Sequence, residues 1–161
     1  MPISIYTLRN VRSYKVGDVV SGPTRPLTPD RIAWYSIGML SAAMGSRQPV
    51  QHNIHTDDEY AKSQGLPAAI ADGMHSTNWL NAMLADVFGP HFVAHGELRT
   101  KFIKPTYANV PITAKGKITG REETSNGSIK LTLDIWTEDE AGTQLTVGDA
   151  SVLITDEFEG F

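Results

Sequence analysis

Apolar residues recur at three-and-four spacing between Gly73 and Phe88, and this spacing predicts one long helix that is buried along a wide face. Gly89 and Pro90 follow the pattern, and we expect them to end the helix. The apolar members of the pattern are Trp79, Leu80, Met83, Leu84, Val87 and Phe88. The hydrophobic pattern therefore places one apolar helix near the middle of the chain.

Two further helices are predicted on the amino-terminal side. The sequence Thr28-Pro29-Asp30 is typical of a helix start, because a threonine hydroxyl can cap the free amides and proline fits the first turn. A short helix is predicted over Asp58 to Gln64, with Thr56 or Asp57 as its cap. Between these two helices, the segment from Ala42 to Gln51 breaks the pattern and predicts a loop.

The carboxyl-terminal half of the chain alternates between apolar and polar positions, which predicts consecutive strands. Their predicted bounds are Val93 to Lys104, Val110 to Glu122, Ser128 to Glu138 and Thr143 to Thr155. Two shorter runs, Ile3 to Leu8 and Val16 to Val20, are expected to form edge structure. Four consecutive strands after one apolar helix predict an α+β fold with an antiparallel sheet wrapped on that helix.

Composition narrows the class of protein. With 161 residues, of which 40% are hydrophobic and 20% charged, the chain fits one globular domain over residues 1–161. A net charge of −4 and the lack of a long basic run argue against a nucleic-acid partner. No run approaches the roughly 18 apolar residues of a membrane span, and the amino terminus does not resemble an export signal. The absence of cysteine excludes disulfides and thiolate chemistry. We expect a cytoplasmic protein that binds no membrane.

The segment from Asn53 to Met74 carries the most informative polar residues. It places His55 just before one predicted helix and Gly73 at the start of the next. A histidine can transfer a proton near neutral pH, and the free amides of a helix start stabilise negative charge on an oxygen. This pairing suggests chemistry on a carbonyl compound. No metal site is predicted, because His52 and His55 lack the third ligand that a catalytic zinc ion needs.

The order of these features resembles the MaoC-like dehydratases, which include the (R)-specific enoyl-CoA hydratases. The resemblance rests on Asn-Ile-His-Thr-Asp at 53–57, Ala-Ile-Ala-Asp-Gly-Met at 69–74 and Lys-Phe-Ile-Lys-Pro at 101–105. It implies the hotdog fold, in which a curled antiparallel sheet wraps a long central helix. It also implies a homodimer or a higher homo-oligomer, with the sheets of two subunits joined. We expect no cofactor.

The spacing between His55 and Gly73 matches the spacing of two functional residues in that family. The resemblance implies that His55 is the catalytic histidine, and that the backbone amide of Gly73 holds the thioester oxygen of the substrate. The implied reaction is the reversible hydration or dehydration of an α,β-unsaturated acyl thioester. Arg99, Lys101 and Lys104 are more often a solvated strand face than a phosphate site for coenzyme A.

The chain departs from the family pattern around the histidine. Val50 stands where the family carries its catalytic aspartate, and valine cannot transfer a proton. Asn53 stands where proline is usual, His52 where asparagine is usual, and Asp72 replaces a histidine. Gln51, His52 or Asp72 can fill the gap, and spacing does not choose among them. The predicted catalytic residues are His55, Gly73 and Asp72, and the predicted substrate contacts are Asn53, Val50 and His52.

Two alternatives to hydration remain open. Val50 motivates the first, which is a hotdog enzyme of another reaction on an acyl or conjugated carbonyl substrate, such as elimination, isomerisation or thioester hydrolysis. The second is a non-catalytic hotdog domain that binds a ligand or stabilises another subunit. The presence of His55 and of the Gly-Met helix start at Gly73 argues against the second alternative.

Overall fold

The computed structural model describes residues 10–46 and 52–158 of the chain. Its strands are β1 (Val19–Ser21), β2 (Arg25–Pro26), β3 (Gly96–Phe102), β4 (Pro111–Glu123), β5 (Ile129–Asp139) and β6 (Gln144–Ile154). Its helices are α1 (Pro29–Met44), α2 (Asp58–Ser63), α3 (Met74–Phe88) and α4 (Pro90–His95). Short 3-10 turns lie at Val11–Ser13 and Asp156–Phe158.

The strands form one antiparallel sheet in the order β1-β4-β5-β6-β3, and β2 pairs with β4 beside β1. Helix α3 packs against the inner face of this sheet, because the apolar stripe of the helix meets the alternate apolar residues of the strands. Each fully buried aliphatic or aromatic side chain contributes about 1.5–3 kcal/mol to stability. The side chains that form the centre of this core are Leu80, Leu84, Phe88, Ile118, Leu131, Leu133 and Ile154. The predicted α+β arrangement is confirmed.

The predicted helix starts are confirmed in detail. The Thr28 hydroxyl accepts from the backbone N–H of Arg31 at 3.3 Å, and α1 ends at Gly45, whose φ of 66° is left-handed. At α2, one carboxylate oxygen of Asp57 accepts from the backbone N–H groups of Glu59 and Tyr60. Asp57, rather than Thr56, is therefore the cap of α2.

The prediction that a strand begins at Val93 is wrong. Gly89 ends α3 with a φ of 57° and donates to the carbonyl oxygen of Ala85, but Pro90 then occupies the first turn of α4, which runs to His95. Proline at this position has no N–H to lose and already has a helical φ. Strand β3 consequently starts only at Gly96, and it ends at Phe102 rather than Lys104.

Strand β3 lies at the edge of the sheet. It pairs with β6 on one side and with no strand of the described residues on the other. Its carboxyl-terminal end exposes apolar surface, since Phe102 is 50% exposed and Ile103 is 45% exposed. The predicted edge run at Val16 to Val20 forms only the short strand β1, while the predicted run at Ile3 to Leu8 falls outside the described residues.

Among residues 10–46 and 52–158, no helix has the length and apolar character that crossing a membrane requires.

Candidate functional site

Two neighbouring segments are tied together at His55. The backbone N–H of Ile70 donates to the carbonyl oxygen of Ile54 at 2.9 Å, and the N–H of Ala69 donates to the Asp58 carboxylate at 2.8 Å. The His55 ring also bonds to the second of these segments, with Nδ1 2.8 Å from the carbonyl oxygen of Ile70. These bonds place the histidine on the segment that leads directly into α3.

The bond from His55 to Ile70 fixes the state of the imidazole. A carbonyl oxygen only accepts, so Nδ1 of His55 must be the donor and must carry the proton. In the neutral ring Nε2 then carries a lone pair and can take a proton. The structure therefore holds His55 in the tautomer that a general base requires.

Asn53 organises the loop that carries His55. Its side-chain oxygen accepts from the backbone N–H of His55 at 2.8 Å, and its amide donates to the buried hydroxyl of Ser36 in α1 at 3.3 Å. The carbonyl oxygen of Asn53 also accepts from the backbone N–H groups of Thr56 and Asp57. These contacts suit a residue that positions His55, and the substrate contact predicted for Asn53 stays a prediction.

Gly73 presents a free backbone amide at the start of α3. Its N–H makes no hydrogen bond with any residue in the described ranges, while the side chain of Asp72 accepts from the N–H of Met74 at 2.9 Å. Asp72, which precedes the cap residue Gly73, thus satisfies the first amide of α3, while the amide of Gly73 has no partner among the described residues. A Cβ atom at position 73 would lie 2.6 Å from the ring of Phe102, so that ring packs directly on the glycine. The catalytic role predicted for Asp72 stays a prediction.

His55 and Gly73 line the same pocket, which has a volume of about 390 Å³. Such a volume suits a small ligand. The apolar wall of this pocket consists of Leu66, Ile70, Ala71, Phe102, Ile103 and Pro105. A second, larger cavity of about 690 Å³ lies on the other side of His55 and is bordered by α1 and the start of α2. We call the first the Gly73 pocket and the second the α1 cavity.

His52 lies at the rim of the α1 cavity, where its side chain is 83% exposed and contacts the carboxylate of Asp57. The backbone N–H of Tyr60, followed by the side chain of His52, holds the pKa of Asp57 below its ordinary value. The carboxylate is thus committed to capping α2. Val50 lies outside the described residues, so its predicted substrate contact is not located. In the described part of the chain, no three His, Asp or Glu side chains are grouped as metal ligands.

His75 is a titratable residue whose placement the sequence left open. It is 9% exposed in the first turn of α3, and its ring lies against Tyr35 with the centroids 4.1 Å apart. Its Nε2 is buried and has no hydrogen-bond partner among the described residues. Burial lowers the pKa of His75, the charge of Asp72 opposes this shift, and His55 adds to it. The ring is therefore held neutral inside the protein.

This burial predicts a dependence of stability on pH. The pKa of His75 is depressed in the folded protein, so below its ordinary value of 6.5 the unfolded chain binds a proton that the folded chain does not. We expect the free energy of unfolding to fall as the pH is lowered through this range, and His75→Leu to reduce that slope. Urea denaturation at several pH values measures the free energy of unfolding and therefore its slope with pH. His95→Gln, at an exposed histidine of α4, is the control, and equal slopes in wild type and His75→Leu would contradict the prediction.

The fold and the pocket together define a class of protein: a hotdog domain in which a histidine and a helix-start amide meet a small pocket. The chain belongs to the MaoC-like domain family, whose model matches residues 15–139. No curated protein sequence matches the chain significantly. The resemblance predicted from the three sequence motifs is confirmed.

Solved structures agree with this fold. A MaoC-like dehydratase from Rhodospirillum rubrum is 17% identical, with a TM-score of 0.66 over 89% of this chain and 94% of that one. An (R)-hydratase of A. caviae involved in PHA biosynthesis is 16% identical, with a TM-score of 0.64 over 89% and 99%. The HadBC (3R-hydroxyacyl-ACP dehydratase) complex of Mycobacterium tuberculosis gives 16% and 0.61 over 86% and 96%. At these identities the likeness shows the shared hotdog fold.

Proposed function

We propose that the protein is a hydratase or dehydratase that acts on an α,β-unsaturated acyl thioester. One observation carries the proposal: His55, whose imidazole is in its base-competent tautomer, and Gly73, whose N–H makes no hydrogen bond among the described residues, line one pocket. A proton acceptor and an oxyanion donor are the two groups that addition of water to a conjugated thioester needs. The family membership and the (R)-hydratase among the structural neighbours support the same class of reaction.

The proposed reaction uses each group at a defined atom. The oxygen of water bonds to the β-carbon while Nε2 of His55 accepts one proton of that water. The electrons of the double bond move towards the thioester oxygen, and the N–H of Gly73 donates to that developing enolate. His55 then returns the proton to the α-carbon, which completes the addition of water. Dehydration runs through the same steps in reverse, so one imidazole serves both directions.

A cation that lines the pocket bears on the carrier of the acyl group. Lys104 lines the Gly73 pocket, whereas Arg99 and Lys101 are exposed on the opposite face of β3 from Phe102. Cations at the mouth of a pocket favour a phosphorylated carrier such as coenzyme A or a carrier protein. The predicted solvated face and this carrier site are compatible, because all three side chains are exposed.

Three substrates distinguish the proposal from its alternatives. Purified protein is assayed with a crotonyl thioester, a longer enoyl thioester and a saturated acyl thioester. Loss of the conjugated absorbance without release of free thiol supports hydration. Thiol release from the saturated substrate would instead identify a thioesterase, and inactivity on all three would favour a binding domain.

Val50 favours a second candidate function. In it, the protein is a hotdog enzyme that transfers protons through other residues and catalyses another reaction on an acyl or conjugated carbonyl substrate. We expect Val50→Asp to lower enoyl thioester turnover, because a carboxylate that replaces an apolar side chain is expected to lose part of its hydration, which raises its pKa. The measurement is the hydration rate of crotonyl thioester by Val50→Asp and, as a matched control, by Val50→Asn. A clear gain in Val50→Asp alone would show that the position still serves the family's water-activating pair.

We further propose that the protein is a homodimer, or a higher homo-oligomer, joined along β3. The strand leaves one edge unpaired among the described residues, and the apolar side chains at its end are half-exposed. Pairing two copies of β3 across a two-fold axis satisfies this edge. Sedimentation at micromolar concentration should give at least a dimer, and Thr100→Pro, which removes an N–H from β3, should weaken it. A monomeric wild type would contradict the proposal.

The cytoplasmic location and the single domain over residues 1–161 stay predictions.

A further inference from the structure

Three hydroxyl-bearing residues that the proposed reaction does not use line the Gly73 pocket. Ser76 comes from α3, Thr106 from the segment after β3, and Thr146 from β6. All three are more than nine-tenths buried, with exposures of 3%, 7% and 2%. Three separate elements therefore bring a hydroxyl group to one small pocket.

These three hydroxyls have no hydrogen-bond partner in the part of the chain that the structure describes. In the described ranges, the side chains of Ser76, Thr106 and Thr146 neither donate nor accept a hydrogen bond, although the pocket itself reaches them. Hydroxyls close by are paired, since Oγ1 of Thr77 lies 2.9 Å from Oγ1 of Thr100. Two other buried hydroxyls, those of Thr137 and Thr155, also have no partner among the described residues, but neither residue lines the pocket. The three hydroxyls of the Gly73 pocket are the ones available to a ligand there.

The positions of the three residues place them next to the proposed reaction centre. Ser76 follows Gly73 by one helical turn, and a helical side chain leans towards the amino-terminal end of its helix, so its hydroxyl lies towards Gly73. Thr146 is the cross-strand partner of Phe102, whose ring covers Gly73. Directly opposed residues of a sheet share a face. Thr146 therefore faces α3 from the other side of the pocket.

The free energy of a bound acyl group depends on these hydroxyls. A hydroxyl that is buried against hydrocarbon without a hydrogen-bond partner is unfavourable, because its hydration is lost and not replaced. An unsubstituted alkyl chain that filled the pocket would leave three hydroxyls in that state, whereas an oxygen substituent would accept from them. The pocket has no carboxylate among its lining residues, and its one ammonium group, on Lys104, also favours an oxygen acceptor.

We propose that Ser76, Thr106 and Thr146 form a polar subsite that selects acyl thioesters with an oxygen substituent on the acyl chain over plain alkyl thioesters. This inference rests on the proposed function for the identity of the thioester, and it adds the chemical class of the acyl group. The apolar wall of the pocket holds the hydrocarbon part of the chain, and the three hydroxyls bind its hydroxyl, oxo or carboxylate group.

Binding of saturated thioesters tests the subsite without turnover. The probes are two pairs of coenzyme A thioesters of matched size: γ-hydroxybutyryl against pentanoyl, and δ-hydroxypentanoyl against hexanoyl. Titration calorimetry on the full chain should show at least one hydroxyacyl thioester binding about tenfold more tightly than its alkyl counterpart, which corresponds to about 1.4 kcal/mol. Nearly isosteric variants that remove single hydroxyls, Ser76→Ala, Thr106→Val and Thr146→Val, should reduce this ratio towards one.

Thr119→Val, at an exposed threonine of β4, is the matched control and should leave the ratio unchanged. Ser76→Thr keeps a hydroxyl and should retain part of the selectivity. Circular dichroism and thermal melting show whether each variant is folded, and at least one of the three hydroxyl deletions is expected to be native in both.

Two results would overturn the subsite. Equal affinity for both members of each pair in the wild type would mean that the pocket does not discriminate. Equal weakening of both members in the folded variants would mean that the hydroxyls bind the thioester or its carrier, which all substrates share. Selective binding together with no hydration of any enoyl thioester would overturn the proposed reaction and leave the subsite standing, so the two failures are distinguishable.

Discussion

Replacing His55 by alanine should lower the turnover of an enoyl thioester by about 10²-fold to 10⁴-fold while the fold stays intact. The variant removes the only imidazole that lines the Gly73 pocket in the described part of the chain. It also removes the hydrogen bond from Nδ1 to the carbonyl oxygen of Ile70. The backbone bond between Ile70 and Ile54 still joins the two segments. The rate is measured from the absorbance of the conjugated thioester, and the fold from circular dichroism.

His95→Gln is the matched control for this variant. His95 is an exposed histidine of α4, and its side chain contacts Glu157 rather than the pocket. We expect its turnover to stay within a few-fold of wild type. Near-normal turnover in a folded His55→Ala protein would remove His55 from the mechanism.

The second large effect should come from the amide of Gly73. Two substitutions distinguish the loss of its N–H from the effect of an added Cβ atom. Gly73→Pro deletes the N–H, and the glycine φ of −58° already suits proline. Gly73→Ala adds a Cβ atom against Phe102 in the same way but keeps the N–H. Loss of one oxyanion donor typically costs about 10²-fold to 10³-fold in kcat, so Gly73→Pro should be slower than Gly73→Ala by that factor.

The Phe102→Ala background tests whether the clash of a new Cβ atom with the Phe102 ring contributes to the loss of turnover. Phe102→Ala opens the space that either new Cβ atom would occupy, so in that background Gly73→Ala should regain turnover and Gly73→Pro should not. Thermal melts of the four proteins show that each is folded. Equal turnover of the proline and alanine variants in both backgrounds would show that this N–H does not stabilise the reacting oxygen.

The sequence was a good guide to the long elements of the fold. Helix α3 and strands β4 to β6 fall within one or two residues of their predicted bounds, because each shows several repeats of its period. Helix α4 was missed, because its six residues cover less than two helical turns and its apolar residues also suit a strand. The proline after Gly89 was interpreted as the end of one helix, although it is equally typical of the start of another.

The candidate site was less predictable, because its parts come from different elements. His55 and Gly73 could be paired because both lie at predicted helix starts and their spacing matches the family pattern. Ser76, Thr106 and Thr146 were not singled out, because nothing local distinguishes a pocket hydroxyl from any other serine or threonine. Only Ser76 carried a usable signal, since it lies one helical turn after Gly73 on the same side of α3.

Phe102 belongs to two parts of the molecule at once: its ring packs on Gly73, and its strand is the open edge of the sheet. A substitution that alters what lies along this edge will also move the ring, and a substitution that resizes the ring will alter the edge. A substitution of Phe102 combined with one elsewhere along the edge should therefore have non-additive effects on assembly and on catalysis. A redesign of this edge that changes its partner would also change the surroundings of the Gly73 amide.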